Sequence, residues 1–155
     1  MGVEESIRTE KLRYLPLAQP TCMPRTMTLT QALDMMRKDR AACALVCEDG
    51  RLVGIFTERD VLQKVVGEAV DGSELVERLM TPSPRSLSPD DTLLKAIQLM
   101  TEGGYRHVPL TDEGGLLVGL VSAHDVVDYI TEHFPAEVHN LPPRLHQKPL
   151  KPEGA

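Results

Sequence analysis

The sequence predicts an α+β fold made of two copies of one small unit, each a short sheet carrying two helices. Three observations lead there. The chain repeats itself: residues 28–36 (TLTQALDMM) overlay residues 92–100 (TLLKAIQLM) at an offset of 64, and residues 57–66 (TERDVLQKVV) overlay residues 122–130 (SAHDVVDYI) at 65. Each copy places apolar residues at helical spacing in its first segment. Each then has two short apolar runs separated by an acidic-glycine turn, the signature of a hairpin.

The first helix of each copy shows its buried face directly, with Leu29, Ala32, Leu33 and Met36 in one and Leu93, Ala96, Ile97 and Met100 in the other. A short apolar strand follows, ALV at 44–46 and VPL at 108–110. The turns are EDG at 48–50 and DEGG at 112–115, and they lead into second strands RLVGIF at 51–56 and LLVGLV at 116–121. The change of offset is a one-residue insertion in the hairpin loop, where insertions are best tolerated. Nearly continuous apolar strands suit a sheet covered by helices on one face and partly buried on the other. A unit of about 50 residues is marginal alone, so the two are expected to pack together. The chain divides into a lead segment 1–19 with a short helix before Pro16, a first repeat 20–70, a linker 71–78, a second repeat 79–134 and a proline-rich arm 135–155. The arm reads as extended, or laid along a partner.

Composition narrows the functions. Of 155 residues, 41% are hydrophobic and 26% charged, and the formal net charge is −6, which argues against a nucleic-acid binder held by a broad basic surface. Only 3% are aromatic, too few to stack successive bases of a single strand. No apolar run approaches the roughly 20 residues that span a bilayer, and the N-terminus lacks a hydrophobic signal core, so a cytoplasmic protein off the membrane is expected. Cys22, Cys43 and Cys47 form no Cys-x-x-Cys pair and are expected as buried thiols in a reducing compartment. His133, His139 and His146 do not have zinc-ligand spacing, and no metal site is expected.

Two segments at matching places carry the chemistry: Gly54-Ile55-Phe56-Thr57-Glu58-Arg59-Asp60 and Gly119-Leu120-Val121-Ser122-Ala123-His124-Asp125. Both run from a strand end into a helix start, with a hydroxyl at the junction and a carboxylate three positions on. One reading is a capping box that satisfies free N–H groups of the helix. The other is a ligand site. A helix N-terminus favours phosphate, the hydroxyl can bond a phosphate or sugar oxygen, the Asp can accept from a ribose diol, and the glycine admits close approach. The two readings are compatible.

A tandem of such repeats, each ending in Gly-hydrophobic-hydrophobic-Thr/Ser-x-x-Asp, resembles a pair of CBS domains, the Bateman module, over residues 20–134. GIFTERD and YRHVPL carry the resemblance. It implies β-α-β-β-α repeats packed about a pseudo-twofold axis. It also implies a regulatory module with no obligatory cofactor, taking AMP, ADP, ATP, S-adenosylmethionine or sometimes NAD as its ligand. By position, Asp60 and Asp125 would hold ribose hydroxyls, and Thr57 and Ser122 would contact ribose or phosphate. Arg59 and His124 would lie near the phosphates. Cys22 and Met23, and Ser86 and Leu87, lie in the segments that would offer backbone groups to the adenine edge. Arg106 stands at a strand start, where a cation could reach a phosphate. The lead-in at 79–96 follows the family closely, whereas Pro24 and Arg25 stand where the second repeat has Ser88 and Pro89. The resemblance further implies a homodimer through stacked helical faces and a regulated target on another chain.

Three functions follow for comparison. The leading one is a sensor that binds an adenosine-containing ligand between its repeats, without catalysis. The second is an interaction module whose Thr/Ser-x-x-Asp motifs act only as caps. The third, a nucleotide hydrolase, lacks clustered acids, a nucleophile elbow, a phosphate loop and a zinc motif. With so few rings, an adenine here would lie between aliphatic side chains.

Overall fold

The structure, a computed structural model, describes residues 2–17 and 19–135, so all of the expected arm beyond Pro135 lies outside the described residues. The chain opens with α1 (Val3–Thr9) and a 3-10 turn at Leu12–Tyr14. The first repeat follows as β1 (Cys22–Pro24), α2 (Leu29–Asp39), β2 (Cys43–Glu48), β3 (Arg51–Thr57) and α3 (Glu58–Asp60). Past Asp60 the chain passes into a π-helical stretch, Val61–Val66. The segment leading into the second repeat carries α4 (Val76–Leu79) and β4 (Thr81–Pro82), and the repeat continues as α5 (Leu93–Gly103), β5 (His107–Thr111), β6 (Leu117–Ser122) and α6 (Ala123–His133). Among the described residues no helix is long and apolar enough to cross a membrane.

Local chemistry fixes these elements. Thr28 caps α2 by accepting from the Gln31 N–H while Gln31 accepts from the Thr28 N–H, a complete capping box. Thr92 caps α5 by accepting from the Lys95 N–H. Both helices end on a left-handed residue, Arg40 (φ 52°) in one and Gly104 (φ 70°) in the other. Asp49 and Gly50 both have positive φ, which gives the two-residue turn that the Asp-Gly pair predicts. The longer second loop is closed by Asp112 Oδ1, which accepts from the Gly114 and Leu116 N–H groups at 2.9 Å each.

In the first sheet the order is β1-β2-β3-β4, with β1 parallel to β2 and the other pairs antiparallel. The second sheet has two strands, β5-β6, and the counterpart of β1 is one parallel bridge, Leu87 to Leu110. That bridge repeats the Met23–Val46 pairing of the first sheet. Both hairpins carry a bulge just before the repeat glycine, where Val53 and Val118 are skipped in the pairing across the hairpin.

Each repeat has its own core, and each core is completed by the segment leading into the other repeat. Leu12 and Leu15 pack with Leu87, Leu93, Leu110 and Val121 in the second core. Val76, Leu79 and Met80 pack with Met23, Leu29 and Phe56 in the first. The exchange is held by matching backbone bonds, Leu29 N–H to Glu74 O at 2.7 Å and Leu93 N–H to Glu10 O at 2.8 Å. The hairpin tips meet as well: Arg51 bridges Leu116 antiparallel, so a pseudo-twofold axis passes between the two hairpins.

Candidate ligand site at the strand to helix junctions

Each junction is built the same way. β6 ends at Ser122, which pairs with His107 at the start of β5, and β3 ends at Thr57, which pairs with Cys43. The first helical N–H of α6, on Ala123, donates to Arg106 O at 2.9 Å, and that of α3, on Glu58, donates to Ala42 O at 3.1 Å. The backbone of Arg106 is therefore held beside the N-terminus of α6, at the position that Ala42 holds in the first repeat, and its side chain is exposed.

The capping reading of both motifs is correct in full. Asp125 Oδ2 accepts from the Ser122 N–H at 2.7 Å and from Ser122 Oγ at 2.9 Å, and Ser122 Oγ accepts from the Asp125 N–H at 3.1 Å. The first motif repeats this with Thr57 and Asp60 at 2.8, 3.1 and 3.2 Å. The second carboxylate oxygen separates the two. Asp60 Oδ1 lies 3.1 Å from Lys64 Nζ, which also donates to Leu79 O at 2.9 Å. Among the described residues Asp125 Oδ1 has no such partner.

Ser122, Asp125, Arg106 and His107 thus gather at one end of the second sheet. Glu58 acts electrostatically on both Cys43 and His107, so the first residue of α3 stands near the second junction as well. Burial is the main cause that lowers the His107 pKa below its ordinary value. Arg106 adds to the lowering, and Glu58 and Asp125 oppose it. Burial thus favours the neutral imidazole of His107 over the cation. His124 is exposed, with Nε2 3.4 Å from Asp128 Oδ2. Arg59 is exposed too.

The remaining expected residues lie farther off. Leu87 faces Leu110, which faces Gly119, three residues before Ser122. At about 4.8 Å per strand and 3.3 Å per residue, Leu87 and Ser122 are on the order of 14 Å apart. The side chains of Met23 and Leu87 are buried in the cores, and Leu87 uses its N–H and C=O to bond Pro109 and Thr111. Ser86 Oγ lies 3.1 Å from Thr111 Oγ1. Phe56 and Val121 are fully buried, so neither offers a face to a base. Cys43 and Cys47 are buried as expected, but Cys22 is exposed on the edge strand. Burial pushes both buried thiols up to about 12, Glu58 adding to it at Cys43 and Cys22 at Cys47. Among the described residues no three His, Cys, Asp or Glu side chains cluster as metal ligands.

The two repeat glycines differ. A Cβ on Gly54 would collide with Met80 Sδ. Gly119 instead borders a cavity of about 320 Å³ lined with Leu12, Arg13, Leu15, Pro20 and Pro89. A larger groove of about 520 Å³ runs along α2 and α3 past Leu33, Met36, Arg37, Arg40 and Glu58. Neither cavity is lined by Asp60 or Asp125. The sequence did not point to Lys64. Its signal is the basic residue four positions after Asp60, where the second repeat has Tyr129.

Paired repeats with these junctions define a tandem two-domain module. The CBS domain family matches residues 13–67 and 76–132, so the chain belongs to the CBS domain family. It is 39% identical over 99 residues to the CBS domain-containing protein CBSCBSPB1 of Arabidopsis thaliana, covering 63% of this chain and 18% of that protein. It is 31% identical over 120 residues to the mitochondrial CBSX3 of the same plant, covering 74% of this chain and 58% of the relative. The chain therefore spans less than two thirds of either relative. Among solved structures, a putative signal-transduction protein with CBS domains from Burkholderia ambifaria is 30% identical, with a TM-score of 0.70, over 79% of this chain and 92% of that one. A CBS domain protein of Pyrobaculum aerophilum complexed with AMP has the same fold, with a TM-score of 0.70 at 24% identity over 74% of this chain and 88% of that one.

Proposed function

We propose that this protein binds an adenosine mononucleotide without catalysis at the second junction and transmits occupancy to a partner chain. The observation that carries the reading is Asp125 Oδ1, which has no partner among the described residues, at the N-terminus of an eleven-residue helix whose first N–H is bonded to the backbone carbonyl of Arg106. A ribose diol donates two O–H groups, and a carboxylate oxygen with free lone pairs accepts them. A phosphate is favoured by the helix N-terminus and by a guanidinium, with His124 exposed nearby. Ser122 keeps one acceptor position for a sugar hydroxyl. No bond is broken, so the protein acts by favouring one packing of its repeats over another.

Two solved relatives in fold support AMP as the ligand: the Pyrobaculum protein and CBSX2 are both described as complexes with AMP. Support for NAD is lacking. The exposed Leu62 and Val127, at matching positions of the two repeats, suit a second copy of the chain as partner.

A thermal-shift screen with AMP, ADP, ATP and S-adenosylmethionine tests the reading. A ligand at 100 times its Kd adds about 2.7 kcal/mol. For a domain of this size that moves the midpoint by roughly 5–10 °C, at ~2–4 °C per kcal/mol. AMP is expected to move it. If none of the four does, the interaction-module reading takes its place, and the two complete capping boxes favour it.

A further inference from the structure

We infer that Lys64 closes the first junction from within, so that the protein takes one nucleotide per chain. The inference rests on the nucleotide reading above. Asp60 is buried, its Oδ2 is used by the capping box, and its Oδ1 by Lys64. The lysine is anchored a second time on Leu79 O, at the end of α4, which ties the first junction to the segment entering the second repeat. A neutral sugar hydroxyl would have to compete with an ammonium for Oδ1 of a buried carboxylate, and displacing it would leave charge without a partner, which costs more than a neutral hydrogen bond returns.

The second junction has been left open by a change at the same place. Tyr129 replaces Lys64 there. It is buried, stacks on His133 at 4.3 Å between ring centroids, and is part of the core that takes in Leu12. Three further differences point the same way. The helix after Thr57 holds α-geometry for only three residues before its π-helical stretch, whereas α6 runs for eleven. Ala42 stands where Arg106 supplies a cation. A Cβ on Gly54 would collide with Met80 Sδ, whereas one on Gly119 would meet Leu110 Cδ1 at 3.3 Å, beside the cavity that Gly119 lines.

Calorimetric titration of the full chain with AMP tests this by counting sites. One nucleotide per wild-type chain is expected, and Asp125→Asn should weaken it at least tenfold. Lys64→Met should raise the count to two, Lys64→Arg should keep it at one, and Lys64→Met with Asp60→Asn should return it to one. Two nucleotides per wild-type chain overturns the inference and leaves the nucleotide reading intact, whereas one still bound tightly by Asp125→Asn overturns the inference together with the placing of the nucleotide at Asp125. These two counts decide it even if Lys64→Met fails to fold. No binding by wild type or by Lys64→Met overturns both.

Discussion

Arg51 and Leu116 face each other across an antiparallel bridge, flanked by Leu52 N–H to Gly115 O at 3.4 Å and Leu117 N–H to Gly50 O at 2.9 Å. The two hairpin tips are thereby one hydrogen-bonded unit. Gly50 has φ +79°, and a Cβ on it would meet Leu116 Cδ2 at 3.2 Å. Gly50→Ala should therefore cost about 1–2 kcal/mol in urea unfolding, since the left-handed strain is joined by a tight contact. A neutral result would show that the tips are not packed this way.

Leu12 is fully buried in the second core, although it precedes the first repeat in sequence. Leu12→Ala should destabilise the protein by about 2–5 kcal/mol. A loss below ~1 kcal/mol in chemical denaturation would contradict the exchange of lead segments between repeats.

Arg40 holds the left-handed cap position that Gly104 holds in the second repeat. Arg40→Gly should raise stability by up to about 1 kcal/mol, and Gly104→Arg should lower it by a similar amount. Denaturant midpoints of the two variants moving in the same direction would argue against strain at Arg40.

His107 has a pKa lowered by burial, so its neutral form is favoured in the folded state. Between the lowered folded value and the ordinary 6.5 the unfolded chain binds more protons, so this contribution is full above 6.5 and is lost as pH falls below it. The groups acting on it are Arg106, Glu58 and Asp125. His107→Gln should flatten the fall in unfolding free energy below pH 6.5. An unchanged slope would assign the acid sensitivity to other groups.

The local features were legible because local chemistry determines them. The Asp49-Gly50 turn, the inserted residue in the second loop and the Thr57–Asp60 and Ser122–Asp125 boxes each depend on residues within a few positions of one another. The destinations of Leu12 and Val76 were not legible. An apolar residue in a short segment reads the same whichever core receives it, and only the packing of both repeats decides. The pairing of Lys64 with Asp60 was hidden for a similar reason. An i, i+4 ion pair on a helix surface is commonplace, and its burial against Leu79 depends on the exchange. The adenine-side expectation at Leu87 rested on resemblance alone, and strand pairing with β5 uses that backbone.

The central claim is that Asp125 holds a nucleotide that no other residue can hold in its place. Titrating AMP into the wild-type chain and into Asp125→Asn tests it most directly. The account predicts saturable binding by wild type and at least a tenfold loss in the variant. Equal binding by both proteins, or no binding by wild type at millimolar AMP, would contradict it.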